Sequence, residues 1–403
     1  MTKLMTGAAM IAISVMGAAS AGAQDTSGQF TIDPMAEMRL RYENVDQPTS
    51  DADALTLRLR AGATVSNGTF TLLAESEGTI ALTQDYNALP FPIDDEQRRT
   101  GYSVVADPEG IELNRLQLSW AKDGNEVTIG RQRINLDDQR WVGSVGWRQS
   151  EQTFDAVRGQ LGIGKIQADL TYSNSQRTIF GSEAGPRTAY DGDFFFGGVS
   201  SDFSKVQAKV FTYLLDYDED FFLANSSQTY GLLVNGSIPL GGKSALKLKA
   251  SYARQSDYGD SPLDYAADYW AFEAGTSFSI VDVTLGYEQL GSDNGIAVRT
   301  PMATLHKFNG WADLFLNTPA GGLQDRYAGV AFDLGKVAKT MKAQIIYHQF
   351  DSDVGTIDYG HEWDASIGVK AGDIGLLAKF ARYRADSFAV DTDKIWLQAE
   401  YKF

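Results

Sequence analysis

Apolar and polar residues alternate in runs of about ten positions along most of the chain, which predicts β-strands with one apolar and one polar wall. In one run Leu55, Leu57, Leu59, Ala61, Ala63 and Val65 share a face, while Thr56, Arg58, Arg60 and Thr64 share the other. A second sets Leu246, Leu248, Ala250 and Tyr252 against Lys247, Lys249 and Ser251. A third sets Val281, Val283, Leu285 and Tyr287 against Asp282, Thr284 and Glu288, and the chain closes on Ile395, Leu397, Ala399, Tyr401 and Phe403 against Lys394, Gln398, Glu400 and Lys402. Short, turn-rich links occur at 66–68, 122–125, 162–164, 202–204, 239–242, around 279, at 335–339 and around 372–373. Longer ones fall near 44–52, 81–109, 132–150, 175–190, 216–226, 257–264, 292–323, 352–357 and 385–390. Eight short and nine long links join 18 strands and leave both termini on the short-turn side. The fold class this predicts is all-β: a transmembrane antiparallel β-barrel with short periplasmic turns and long extracellular loops.

A soluble β-sandwich is the other reading of alternating strands. The links are too short for a second sheet to cover every apolar face. Aromatic residues also gather towards segment ends (Tyr42, Trp120, Tyr172, Tyr213, Trp270, Tyr287, Tyr383, Tyr401), where a barrel carries its interfacial girdles. The first 23 residues read as a signal peptide: Lys3 at the start, an apolar stretch from Leu4 to Met16, and Ala21-Gly22-Ala23 as the cleavage site. Residues 24–403 then form a single barrel in the outer membrane of a Gram-negative bacterium. Only about six residues separate Gln24 from the first strand, which leaves no room for a plug domain.

Composition narrows the chemistry. The 403 residues hold 35 Lys and Arg against 52 Asp and Glu, a net charge of −17, which opposes any nucleic-acid partner. There is no cysteine, so thiolate metal sites and cysteine nucleophiles are excluded. The three histidines (His306, His348, His361) do not make a histidine-rich metal centre, no Gly-x-Ser-x-Gly occurs, and no cofactor is implied. An enzyme built on the barrel wall is therefore the weakest function class. The acidic run Asp216 to Asp220, with Asp351 and Asp353, reads as a solvated outer loop, because it lacks a full Ca²⁺ ligand spacing.

A barrel of this size leaves an aqueous lumen, so function is read from its inward side chains. On the polar faces, Arg39, Arg41, Arg58, Arg60, Lys247 and Lys249 belong to a slight basic excess over Glu37, Glu75, Glu77 and their like. A single inward cation is most simply a salt-bridged wall residue. The group from Arg39 to Arg60, on two adjacent strands, predicts an anion-attracting patch. On that pattern, Arg58→Glu with Arg60→Glu should move selectivity towards cations and leave the barrel folded. The densest constellation is 130–158, where Arg131, Arg133, Arg140, Arg148 and Arg158 lie among Trp141, Trp147 and several amides, with Arg115 on the preceding strand. Guanidinium forks and aromatic faces suit acidic sugars. The plainer reading is an outer loop whose arginines pair with Asp137, Asp138, Glu151 and Asp155. Alternation places Arg131 and Arg133 with Val127 and Ile129, so only a bulge at Gly130 would turn them inward.

The stretch from Gly130 to Arg158 resembles the signature of the alginate export family of outer-membrane β-barrels. So does Ala303-Thr304-Leu305-His306-Lys307-Phe308-Asn309-Gly310-Trp311-Ala312-Asp313, followed by Leu323-Gln324-Asp325. The resemblance implies an 18-stranded monomeric barrel that conducts an anionic polysaccharide through an arginine-rich constriction partly occluded by loops, with Arg131, Arg133 and Arg148 as the positions carried over. The leading expectation is thus a passive outer-membrane channel for acidic oligo- or polysaccharides, set in outer-membrane lipid and lipopolysaccharide and driven by a gradient or by a periplasmic partner. The alternative is a general or small-anion porin for uptake. The loop 292–323 or the loop 81–109 is expected to fold inwards and narrow the pore.

Overall fold

The computed structural model describes residues 30–241 and 244–403; the leader reading of residues 1–23 lies outside them. Twenty strands follow one another: β1 (Thr31–Gln47), β2 (Ser50–Ser66), β3 (Phe70–Ala81), β4 (Gly110–Lys122), β5 (Asn125–Gln132), β6 (Thr153–Ile163), β7 (Ile166–Arg177), β8 (Ala189–Phe203), β9 (Val206–Tyr217), β10 (Ser227–Gly241), β11 (Ser244–Asp257), β12 (Ala266–Phe278), β13 (Val281–Leu290), β14 (Ser292–Asp293), β15 (Ile296–Ala297), β16 (Leu323–Asp333), β17 (Lys342–Asp351), β18 (Asp358–Ala371), β19 (Ile374–Ala385) and β20 (Thr392–Lys402). The short pair β14–β15 is a hairpin within one loop; the other 18 form a single antiparallel sheet. It closes on itself, because β20 pairs with β1 from Glu37 opposite Lys402 to Asp46 opposite Asp393. Closure leaves no unpaired edge, which a membrane requires. No helix among the described residues is long and apolar enough to cross a membrane.

The period-two pattern sets the wall. Leu40, Leu72, Leu118, Ile129, Leu285, Ile345 and Leu397 stand exposed on the outside, where lipid covers them. The alternating long and short links are as the pattern predicts, with one difference. The long link near 44–52 is a two-residue turn, because β1 and β2 run 17 residues each and carry their pairing beyond the wall.

The inward face departs from the expected polar wall. From β8 to β12 it carries Phe194, Phe196, Phe211, Tyr213, Tyr217 and Tyr269, all buried. They pack against Ile134, Leu136, Val142 and Met302 of two loops that turn into the lumen. Tyr213 and Tyr383 belong to this interior and not to an interfacial girdle, since a folded-in loop offers apolar surface that open water would not.

Candidate functional site: a basic vestibule above a folded-in partition

Two loops fill the middle of the barrel. The segment 133–152 leaves β5 and turns down beside β1–β3. The segment 291–322 leaves β13 and crosses towards β18–β20. Between them they divide the lumen into an outer vestibule of about 980 Å³ and an inner chamber of about 410 Å³. The stretch 303–314 lines both spaces, so it is the partition. Of the two loops expected to fold in, 291–322 does so. The loop 82–109 packs Tyr86, Leu89, Phe91 and Val105 on Val45, Ala52 and Ala54 and makes the vestibule's outer lip. The inward path of 133–152 was visible in the sequence only as a density of arginine.

The arginines of β1 and β2 all point into the lumen and are almost completely buried. Arg58 is 0% exposed and Arg41 1%. Register brings Arg39 opposite Arg58, a like-charge pair that is unfavourable on its own. Glu37 pairs with Arg58, Glu400 with Arg39 at 2.7 Å, and Glu77 with Arg60 at 2.6 Å. The rest of the compensation comes from the loop. Arg39 Nη1 donates to the carbonyls of Gly146 and Arg148 at 3.1 and 3.2 Å, Arg58 Nη1 to that of Gln149 at 3.3 Å, and Arg60 Nη1 meets Glu151 at 2.5 Å. These three arginines therefore seat the loop.

Arg115 and Arg133 converge on the same wall. Arg115 binds Glu75 at 2.7 Å, and Arg133 reaches Glu75 at 3.1 Å and Glu151. One extra residue in β4, Asn114, makes a bulge against Glu75 and Ser76, so that Asn114 and Arg115 both reach Glu75. Arg148 lies between the loops and the wall, bonded to Glu43 at 3.0 Å and Asp313 at 2.9 Å, and these carboxylates with Asp107 outweigh burial and hold its proton more firmly. On the opposite wall Arg140 meets Glu288 at 2.9 Å, and Lys249 binds Asp138. Although burial works against it, Asp138 is held below the usual carboxylate range by Lys249 and Lys307. Lys247 faces the lumen and is exposed, with no carboxylate partner among the described residues.

Arg131 corrects the expectation. Gly130 adopts φ +111°, yet pairing runs through it without a shift, with Gln117 opposite Gly130 and Leu116 opposite Arg131. No bulge turns the strand, so Arg131 stays on the outer wall beside exposed Leu116, paired with Asp155 at 2.8 Å. Arg133 turns inward for another reason: β5 ends at Gln132.

The vestibule contains two arginines that sequence reading missed, Arg187 and Arg299. Its lining includes four cations, Arg148, Arg187, Arg299 and Lys394, against one acid, Asp313. Arg187 and Arg299 have no carboxylate partner among the described residues. The Arg187 guanidinium lies 5.0 Å from the ring of Phe91 and 5.0 Å from that of Phe221, and donates to Tyr190 Oη at 3.1 Å. Arg299 donates to Asn225 Oδ1 at 3.4 Å. Each arginine is isolated in its own loop, so nothing in the linear pattern joins them. The chamber below is acidic, with Asp138, Glu273, Glu288 and Asp325 against Lys249 and Lys307.

The partition hangs on wall acids. Trp311 N donates to Asp364 Oδ2 at 3.2 Å, Ala312 N to Glu362 Oε1 at 2.8 Å, and Asn309 Nδ2 to Glu288 Oε2 at 2.7 Å. In the acidic outer loops carboxylates accept from the backbone of neighbouring segments, as with Glu219 from Asp191 N at 2.7 Å and Asp353 from Ser292 N at 3.0 Å. Among the described residues no group of three or more His, Cys, Asp or Glu side chains is placed to hold a metal ion.

A closed 18-strand barrel with an apolar outer wall, a charged lumen and inward loops is an outer-membrane β-barrel channel. A family model described as alginate export matches residues 38–265, more than half of the chain, and the chain belongs to that family. No curated protein matches the chain significantly. Among solved structures, Pseudomonas aeruginosa OccK2 (OpdF) in complex with glucuronate is 14% identical, with 92% of this chain and 98% of that chain covered and a TM-score of 0.70. Pseudomonas aeruginosa OpdK with vanillate has the same identity, coverages and TM-score. Acinetobacter baumannii OccAB3 is 15% identical over 92% of this chain and 99% of that chain, again with a TM-score of 0.70. At these identities the likeness is one of fold.

Proposed function

We propose that this channel passes small carboxylate-bearing solutes, of the size of an acidic mono- or oligosaccharide. The observation that carries the reading is the vestibule: 980 Å³, four cations to one acid, and two arginines without carboxylate partners among the described residues. A space of that size encloses a compact ligand, and guanidinium forks select planar carboxylates. Aromatic rings of Phe91, Phe180 and Phe222 beside them supply faces for a sugar or an aromatic ring. Glucuronate and vanillate, bound by two barrels of this fold, share that chemistry of one carboxylate on a ring. Passage of a continuous alginate-like chain would require the partition at 303–314 to move out of the lumen.

The test is planar-bilayer reversal potential in a KCl gradient, followed by glucuronate and polyuronate as blockers. Anion preference with concentration-dependent interruption by glucuronate is expected. Arg187→Gln with Arg299→Gln should weaken that interruption about tenfold or more, since each charged hydrogen bond is worth roughly 1.5–3 kcal/mol. Block by polyuronate alone, with glucuronate silent, would return the channel to polymer transport.

A further inference from the structure

The ammonium group of Lys379, on the barrel wall, sits among tryptophan rings at the point where the two inward loops meet, and we propose that this lysine is the latch that holds both loops against the wall and so sets the width of the passage. Its Nζ lies 3.7 Å from the ring centre of Trp311, 4.1 Å from that of Trp147 and 5.4 Å from that of Trp396. It also donates to His306 Nε2 at 2.7 Å. Trp147 comes from the loop 133–152, His306 and Trp311 from the loop 291–322, and Trp396 from β20. One side chain therefore touches both loops and the neighbouring strand.

The arrangement carries a desolvation cost. Lys379 is 9% exposed and has no ion pair among the described residues, so burial works against its charge, and ring faces, one imidazole nitrogen and the wider field of Asp364 and Asp313 offset that only in part. A methionine would fill the same space without that penalty. What the charge adds is direction: it draws together rings that belong to three separate segments. Trp147 stacks on His306 with ring centres 4.4 Å apart and planes 4° from parallel.

The donation from Lys379 also sets the state of His306. Nε2 accepts, so the proton is on Nδ1, which donates to Asp313 Oδ1 at 2.8 Å. Asp313 is in turn held by Arg148 at 2.9 Å and Lys394 at 3.4 Å. The charged groups facing His306 are thus Lys379 of β19, Lys394 of β20, Arg148 of the other loop and Asp313 of its own, with Arg41 over Trp147, Glu43 behind Arg148 and Lys394, and Asp364 under Trp311 completing the ring. Burial first, and then Lys379 and Arg148, push the imidazole down to about 3 against the opposing pull of Asp313. A second proton on Nε2 would face the ammonium group donor to donor and open the latch.

Lys379 is a positioning residue, and its test reads the pore. Lys379→Met, refolded and checked for heat-modifiable migration on a gel, should raise single-channel KCl conductance by about twofold or more and abolish the acid response described below, because the narrowing contact is gone. Lys379→Arg keeps a cation and a donor and should restore both. Refolded Lys379→Met with wild-type conductance and an unchanged acid response would overturn the latch. Trp311→Leu removes the cage from the loop side without touching the wall; it should raise conductance likewise, and a wild-type value there also counts against the proposal. KCl conductance involves no acidic solute, so either outcome leaves the solute reading to be decided by its own experiment.

Discussion

At the scale of the residue, charge in this lumen is mostly spoken for. Arg58 and Arg60 stand on the polar face that period-two alternation assigned them, but they hold a loop and meet little solvent. Breaking one partner of a buried pair costs about 3–5 kcal/mol, because the remaining charge stays buried. Arg58→Glu with Arg60→Glu places four like charges with Glu37 and Glu77, so release of the loop 133–152 and a rise in conductance are expected before any clean change of selectivity; bilayer recording of the refolded variant checks this. Acid should act on the latch as well. The folded pKa of His306 is depressed to about 3 from 6.5, so it contributes stability that is complete above pH 6.5 and is lost as pH falls towards 3. Asp313, despite its burial, is held below the usual carboxylate range by His306, Lys394 and Arg148, and shifts stability in the same direction. Conductance is expected to increase through that window, and tryptophan fluorescence from Trp147, Trp311 and Trp396 to change with it.

At the scale of the element, the strands were legible and their special positions were not. Gly130 reads as a candidate bulge, whereas it is a positive-φ position in unbroken register; a Cβ there would lie 2.3 Å from the Leu116 carbonyl oxygen. Gly130→Val should therefore destabilise β5 by about 1–3 kcal/mol, measured by urea unfolding of the barrel in lipid. The bulge that does matter, at Asn114, leaves no mark in the alternation because asparagine suits either face. The run Phe194-Phe195-Phe196 hides its period altogether, since one wall meets lipid and the other meets a folded-in loop. Loop deletions separate the two inward candidates. Removing 304–313 should raise conductance strongly, while shortening 82–109 should widen only the vestibule mouth and affect glucuronate block more than KCl current.

At the scale of the whole molecule, strand number, closure and the alternation of short turns with long loops follow from period and spacing, because a strand's side chains alternate strictly and each turn must reverse the chain within a few residues. The two motif stretches likewise pointed to the family. What tertiary structure alone decided is where the loops go. The vestibule's Arg187 and Arg299, the Lys379 cage and the partition between the chambers each join segments that are far apart in sequence, the partition and its wall acids by 21 to 53 residues. Their positions rest on which wall acid accepts which loop N–H and which ring meets which ammonium group. A local pattern can assign a side chain to the lumen, but only contacts across the lumen determine whether it faces water, a solute or another loop.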